Sequence, residues 1–133
     1  MTLTRVTSTL SAALETLINE TIGCCVAVHR ELGPGLSESA YSRACCIELA
    51  FRGIQFETER SVVVRYRNSI VCQQRIDLFI DRALVVEVKA VERIHPVHVA
   101  QVVSYLRATG VRAGLVVNFN VPLLKQGIRR VVL

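Results

Sequence analysis

Two short stretches of this chain bring together side chains able to hold a hard cation beside a polyanion: Arg75-Ile76-Asp77 and Glu87-Val88-Lys89. In an extended strand, residues two apart share a face, so Arg75 points with Asp77 and Glu87 with Lys89. If Asp81-Arg82-Ala83 makes a three-residue reversal, Ile80 pairs with Leu84, Leu78 with Val86 and Ile76 with Val88, which gathers six apolar side chains on one face. The same register sets Asp77 across from Glu87 and Arg75 across from Lys89 on the other face. A slip of one residue would mix the two sets, so the apolar pattern selects this register. Carboxylates directly across a strand pair stand about 5 Å apart at Cβ and repel each other. A divalent cation removes that conflict, and oxygens from carboxylates, a backbone carbonyl and water suit Mg²⁺ or Mn²⁺. Lys89 beside them can orient a water or stabilise negative charge developing on a phosphate. The competing reading is a surface lattice of Asp–Lys and Glu–Arg pairs, which an isolated E-x-K does not exclude.

Other polar groups bear on that choice. Gln101 and Tyr105 are four apart on a predicted helix and so share a face, with His98 three residues earlier near the same side. Val99, Val102, Val103 and Leu106 take the remaining surface and are expected to face the core. The polar set can hold a phosphate backbone or a nucleophilic water, or it is simply the wet side of an amphipathic helix. In Gly35-Leu36-Ser37-Glu38-Ser39-Ala40-Tyr41, Glu38 falls in the first turn of a helix, where the helix dipole favours negative charge. Tyr41 lies one turn further along. Glu38 is then either a dipole-compensating residue beside a half-buried tyrosine or a third acid near the cation.

The elements that must position these groups follow from spacing. Leu14, Leu17, Ile18, Ile22, Cys25, Val26 and His29 recur at helical intervals, predicting a first helix from Ser11 to Glu31. Gly33-Pro34-Gly35 ends it, since Pro34 disfavours helix at the residue before it. Ser37 is the predicted N-cap of a second helix that carries Leu36, Ala40, Ala44, Ile47 and Phe51 on one side and closes at Gly53. Val62, Val64 and Tyr66 alternate as a strand, Asn68-Ser69 supplies a turn, and 70–80 and 84–89 read as two more strands. Pro96 suits the first turn of a third helix running through Gln101 and Tyr105 to Ala108, with Gly110 beyond. Strands over Val111–Val117 and Arg130–Leu133 complete the chain. That order predicts a mixed α/β layer with an antiparallel meander and one helical crossover.

With 133 residues, 51% hydrophobic and 20% charged, the chain is expected to form a single domain over 1–133 and not to be disordered. No apolar run approaches the roughly 18 residues of a membrane-spanning helix. Met1-Thr2-Leu3-Thr4-Arg5 lacks the pattern of a secretion signal, so a cytoplasmic location without a membrane partner is expected. Sixteen Lys and Arg against eleven Asp and Glu give a net charge of +5, which suits a nucleic-acid partner or serves solubility alone. Cys24, Cys25, Cys45, Cys46 and Cys72 lack the separated spacing of a metal cluster and are expected to act as small apolar filler. The apolar end Val131-Val132-Leu133 needs cover, and a homodimer is expected to supply it.

The run Val28-His29-Arg30-Glu31-Leu32-Gly33-Pro34-Gly35, then Glu38, Tyr41, Asp77, Glu87-Val88-Lys89, Gln101 and Tyr105, resembles in order and spacing the PD-(D/E)xK nuclease superfamily, and within it the small GxxExxY proteins. The resemblance runs from the first helix through Asn118. It implies a restriction-endonuclease-like core, a central mixed β-sheet flanked by α-helices. By that resemblance Asp77 and Glu87 would bind Mg²⁺ or Mn²⁺ together with the Val88 carbonyl. Lys89, Glu38, Gln101 and Tyr105 would serve catalysis, and Arg75, His98 and Tyr41 would contact nucleic acid. The implied activity is phosphodiester hydrolysis, with DNA preferred to RNA as substrate. A non-catalytic nucleic-acid-binding or assembly module is the alternative, and membership of a larger repair, defence or mobile-element complex is a third reading. Ile76 stands where the superfamily's name has Pro, Gln73 where Gly is common, and Cys24 and Cys25 where small residues such as Ala are usual.

Overall fold

The computed structural model describes residues 10–133, so the reading of Met1–Arg5 lies outside the described residues. Its elements are α1 (Ala12–Leu32), α2 (Glu38–Phe51), β1 (Phe56–Tyr66), β2 (Ser69–Ile80), β3 (Leu84–Lys89), α3 (Pro96–Thr109), β4 (Ala113–Asn118), a single 3₁₀ turn (Leu124–Gly127) and β5 (Ile128–Val132). Local chemistry sets the boundaries. The Ser11 hydroxyl accepts from the Leu14 N–H (3.1 Å) and the Ser37 hydroxyl from the Ala40 N–H (3.2 Å), each satisfying an otherwise orphan donor at a helix start. At the other end of α1, the Gly33 N–H closes on the His29 carbonyl.

The five strands stand in the sheet in chain order, β1 to β5. β1, β2 and β3 form the expected antiparallel meander, α3 carries the chain over to a parallel β3–β4 pair, and β5 returns antiparallel to β4. This mixed sheet flanked by helices has the expected restriction-endonuclease-like architecture. α1 and α2 cover one face, where Ile18, Cys25, Val28, Tyr41 and Leu49 meet Leu78, Ile80, Val86, Val88 and Leu115. α3 covers the other, setting Val102, Tyr105 and Leu106 against Val62, Ile76, Phe79, Val85 and Val116. No described helix is long and apolar enough to cross a membrane.

Several expectations are corrected. The buried stripe of α2 is Tyr41, Cys45 and Leu49. Ile47 (65% exposed) and Phe51 (85%) face outward with Leu36, because the Tyr41 ring, stacked on Phe119, turns the Tyr41–Cys45–Leu49 row toward the core. β1 begins at Phe56, before its clean alternation, and the hairpin turns at Arg67-Asn68, both with positive φ, instead of at Asn68-Ser69. Cys24, Cys25 and Cys45 are buried filler as expected, whereas Cys72 is exposed on β2. Ile76 does not join the other five apolar residues of its set, for a reason that lies in the site itself.

Candidate active site

The Asp81-Arg82-Ala83 reversal forms, and Ile80 pairs with Leu84 and Leu78 with Val86 as the apolar pattern requires. There the β2–β3 ladder stops. The pairings of Ile76 with Val88, Asp77 with Glu87 and Arg75 with Lys89 are not made, and the two strands fork at Asp77. β3 stays with β4 up to Lys89 and Asn118, while β2 leaves with β1 as a two-stranded arm. The fork has a visible cause on β1: Thr58 partners Leu78 and Arg60 partners Ile76, but Glu59 between them has φ +51° and drops out of the ladder. Irregularity of this kind re-aims side chains. Leu78 faces α1 and α2, and Ile76, two residues away, faces α3.

Asp77 sits at the fork and caps it. Its Oδ2 accepts the Val88 N–H at 2.9 Å, a donor that a continuous ladder would have paired with backbone. Glu87 projects beneath α3 and is only 4% exposed. Its Oε1 lies 3.8 Å from Lys89 Nζ, and its Oε2 is buried without a hydrogen-bond partner. Burial, and then the neighbouring Asp77, push the Glu87 carboxyl up to about 9; Lys89 and Tyr105 pull the other way. Tyr105 is buried on α3, and its phenol is raised by burial and then by the charge of Glu87, with Gln101 acting against the shift. The four-residue spacing puts Gln101 and Tyr105 on one side of α3, Tyr105 beside the Asp77–Glu87 pair and Gln101 beside Tyr105.

Two further predicted residues lie at the rim. Glu38 is exposed in the first turn of α2 and borders, with Asp77, a cleft of about 430 Å³ that also takes in Arg43 and Glu59. His98 is half-buried, and its Nδ1 accepts the His95 N–H (3.0 Å), so it caps α3 as well as facing the site. Burial lowers its pKa first and Lys89 next, while Glu38 opposes them.

Two predicted nucleic-acid contacts are placed differently. Tyr41 is a correction: it is fully buried, its ring is stacked on Phe119 at 4.5 Å, and its hydroxyl donates to the Gly33 carbonyl and accepts the Leu36 N–H. No surface is left for a nucleic acid, and the residue ties the Gly33-Pro34-Gly35 bend to the core. Arg75 is exposed but partners Ser61 on β1, away from Lys89.

Sequence reasoning missed Asn118. Its Oδ1 accepts the Val91 N–H (3.0 Å) and its Nδ2 donates to the Val91 carbonyl (2.9 Å), which fixes the chain just after Lys89. The Phe119 N–H adds a bond to the Lys89 carbonyl (2.9 Å). An amide side chain ending the apolar run Leu115-Val116-Val117 was the available signal.

Among the described residues, no three His, Cys, Asp or Glu side chains gather as a ready metal cage. The acid pair still fits a hard divalent cation: it offers carboxylate oxygens, one of them buried and unpartnered, and its mutual repulsion is relieved by positive charge. PD-(D/E)XK nucleases generally use divalent metals.

Comparison with protein families gives a match to the PD-(D/E)XK nuclease superfamily over residues 15–131. Neither the curated proteins nor the solved structures return a match. Since the family match takes in the meander, the fork with its acid pair, and the crossover through α3 to β4, the chain belongs to the PD-(D/E)XK nuclease superfamily.

Proposed function

We propose that this protein is a Mg²⁺- or Mn²⁺-dependent nuclease that hydrolyses nucleic-acid phosphodiester bonds, DNA in preference to RNA. The observation that carries the proposal is the Glu87 carboxyl, buried beside Asp77 with one oxygen unpartnered and a lysine ammonium 3.8 Å from the other. A packing residue would gain nothing from this arrangement, because a buried carboxylate without a partner is costly. Asp77, Glu87 and the Val88 carbonyl would hold the cation. When bound, it supplies Lewis-acid polarisation of the phosphate and offsets charge that the acids cannot carry together. Asp77 is already oriented by the Val88 N–H. Tyr105 would fix the Glu87 carboxyl from α3, with Gln101 orienting Tyr105. Lys89 orients the attacking water and places positive charge where the phosphate oxygens gain negative charge. Glu38 and His98 border the path of the strand.

The same reading keeps the GxxExxY branch, a single domain over 1–133, a cytoplasmic location and a homodimer as expectations, with a larger repair, defence or mobile-element complex as the setting.

Titration calorimetry with Mn²⁺ and cleavage assays on labelled DNA and RNA test the proposal. Wild type is expected to bind the ion and cut, and Asp77→Asn to lose both. Lys89→Ala is expected to keep the ion and lose roughly 10²–10³-fold in rate. Cleavage that survives Asp77→Asn sinks the proposal. Polyanion binding with no uptake of Mn²⁺ would instead favour the non-catalytic module.

A further inference from the structure

The arm segment Ser61–Ile76 carries Arg65, Arg67 and Arg75 and no Asp or Glu, and α3 carries Arg107 and likewise no acid. Where arm and helix face each other they enclose a groove of about 550 Å³, with Val63, Val64 and Arg65 on one wall and Ala100, Ser104 and Arg107 on the other. In a regular strand, neighbouring residues point to opposite faces. Here the β1–β2 register slips between Val64 and Arg65, a bulge that lets consecutive residues border one groove. On the helix, Ala100, Ser104 and Arg107 fall on one flank, next to the flank that bears Gln101 and Tyr105.

The two arginines are available to a ligand. Arg52, Arg60, Arg82, Lys89 and Arg130 stand in ion pairs, whereas neither Arg65 nor Arg107 does among the described residues. Arg65 reaches only the Asn68 carbonyl at 3.4 Å. The groove also shares its walls with the acid pair. Ser104, which donates to Gln74 (3.1 Å), immediately precedes Tyr105, and Gln74 lies three residues before Asp77 on β2.

We propose that this groove holds an unpaired stretch of nucleic-acid strand leading to the Asp77–Glu87 pair. The guanidinium groups suit phosphates, and the valine and alanine surface accepts sugar and base faces without reading their edges. A space of this size is on the scale of a small ligand, which suits the nucleotides of an open strand better than a base-paired helix. The proposal deepens the nuclease reading and rests on it only for the choice of nucleic acid over another polyanion.

Fluorescence anisotropy without divalent cations tests the groove independently of cleavage. The probes are a labelled oligothymidylate of roughly ten nucleotides and a blunt duplex of the same length. Wild type is expected to bind the single strand more tightly than the duplex. Arg65→Ala combined with Arg107→Ala is expected to weaken single-strand binding roughly tenfold and to reduce the salt slope by about 1.4, the value for two lost phosphate contacts. Ala100→Glu, a helix-compatible change on the exposed flank, is expected to weaken it similarly by placing negative charge in the groove; a thermal melt verifies its fold. Wild-type affinity in both variants would overturn the proposal. So would tighter binding of the blunt duplex, or displacement of the oligonucleotide by polyglutamate at equal charge, which would point to an acidic protein. If the groove variants lose binding while Asp77→Asn still cuts, the assignment of cleavage to the acid pair fails and the groove stands.

Discussion

A carboxyl held up to about 9 keeps its proton in neutral solution unless positive charge arrives beside it. Between the ordinary value of 4.5 and about 9, folded Glu87 is protonated and unfolded Glu87 is not. The folded state then binds more protons, so the cation-free protein loses stability as pH rises through that interval. The slope is at most about 1.4 kcal/mol per pH unit. Denaturant unfolding at several pH values with chelator present should show this decline, and Glu87→Gln should flatten it. Tyr41→Phe tests the corrected role of that residue. The ring stays on Phe119, but the Leu36 N–H loses its acceptor and the Gly33 carbonyl its donor. A loss of about 1–3 kcal/mol is expected in the same measurement. At this scale, the grouping of Glu87 with Lys89 and of Gln101 with Tyr105 was legible because strand alternation and helical spacing are properties of the chain itself, whereas the expected ladder pairing of Asp77 with Glu87 is not made. The burial of Tyr41 was not, since it depends on Phe119, nearly eighty residues away.

Among the elements, α2 and the end of β4 show where pattern and packing part. Ile47 and Phe51 form an apolar pair at helical spacing yet face outward, while the buried row is Tyr41, Cys45 and Leu49. Phe51→Ala should therefore change stability within about 0.5 kcal/mol, whereas Leu49→Ala should cost about 2–5 kcal/mol, both read from denaturant midpoints. Gly114 on β4 lets α3 come close: a Cβ there would lie 2.5 Å from Val102 Cγ1 and 3.3 Å from the Val85 carbonyl oxygen. Gly114→Ala should destabilise by about 1–3 kcal/mol through overpacking and lift the helix that covers Glu87. The order and type of the three α-helices and five strands were readable from periodicity and caps, while the 3₁₀ turn at Leu124–Gly127 was not. The fork was not, because it arises from the left-handed backbone of Glu59, a residue type that gives no warning of it.

For the molecule as a whole, the net charge of +5 is unevenly placed, since the arm and α3 hold arginines with no acid among them. Oligonucleotide binding should accordingly weaken steeply with salt, and titrations across ionic strength would reveal it. The expected homodimer is read directly by light scattering. Overall architecture was foreseeable because helix, strand and crossover each left a local mark; the course of the arm over α3 depends on contacts that no short stretch contains. One property of the sheet reaches further. Its strands lie side by side in the order in which a ribosome delivers them, so each can dock on its predecessor as it emerges, and hairpins between neighbours close quickly. Burial of Glu87 needs α3 and β4, which follow it in the chain. Folding near neutral pH without a cation is accordingly expected to take up a proton, which a pH-indicator dye in weak buffer would read.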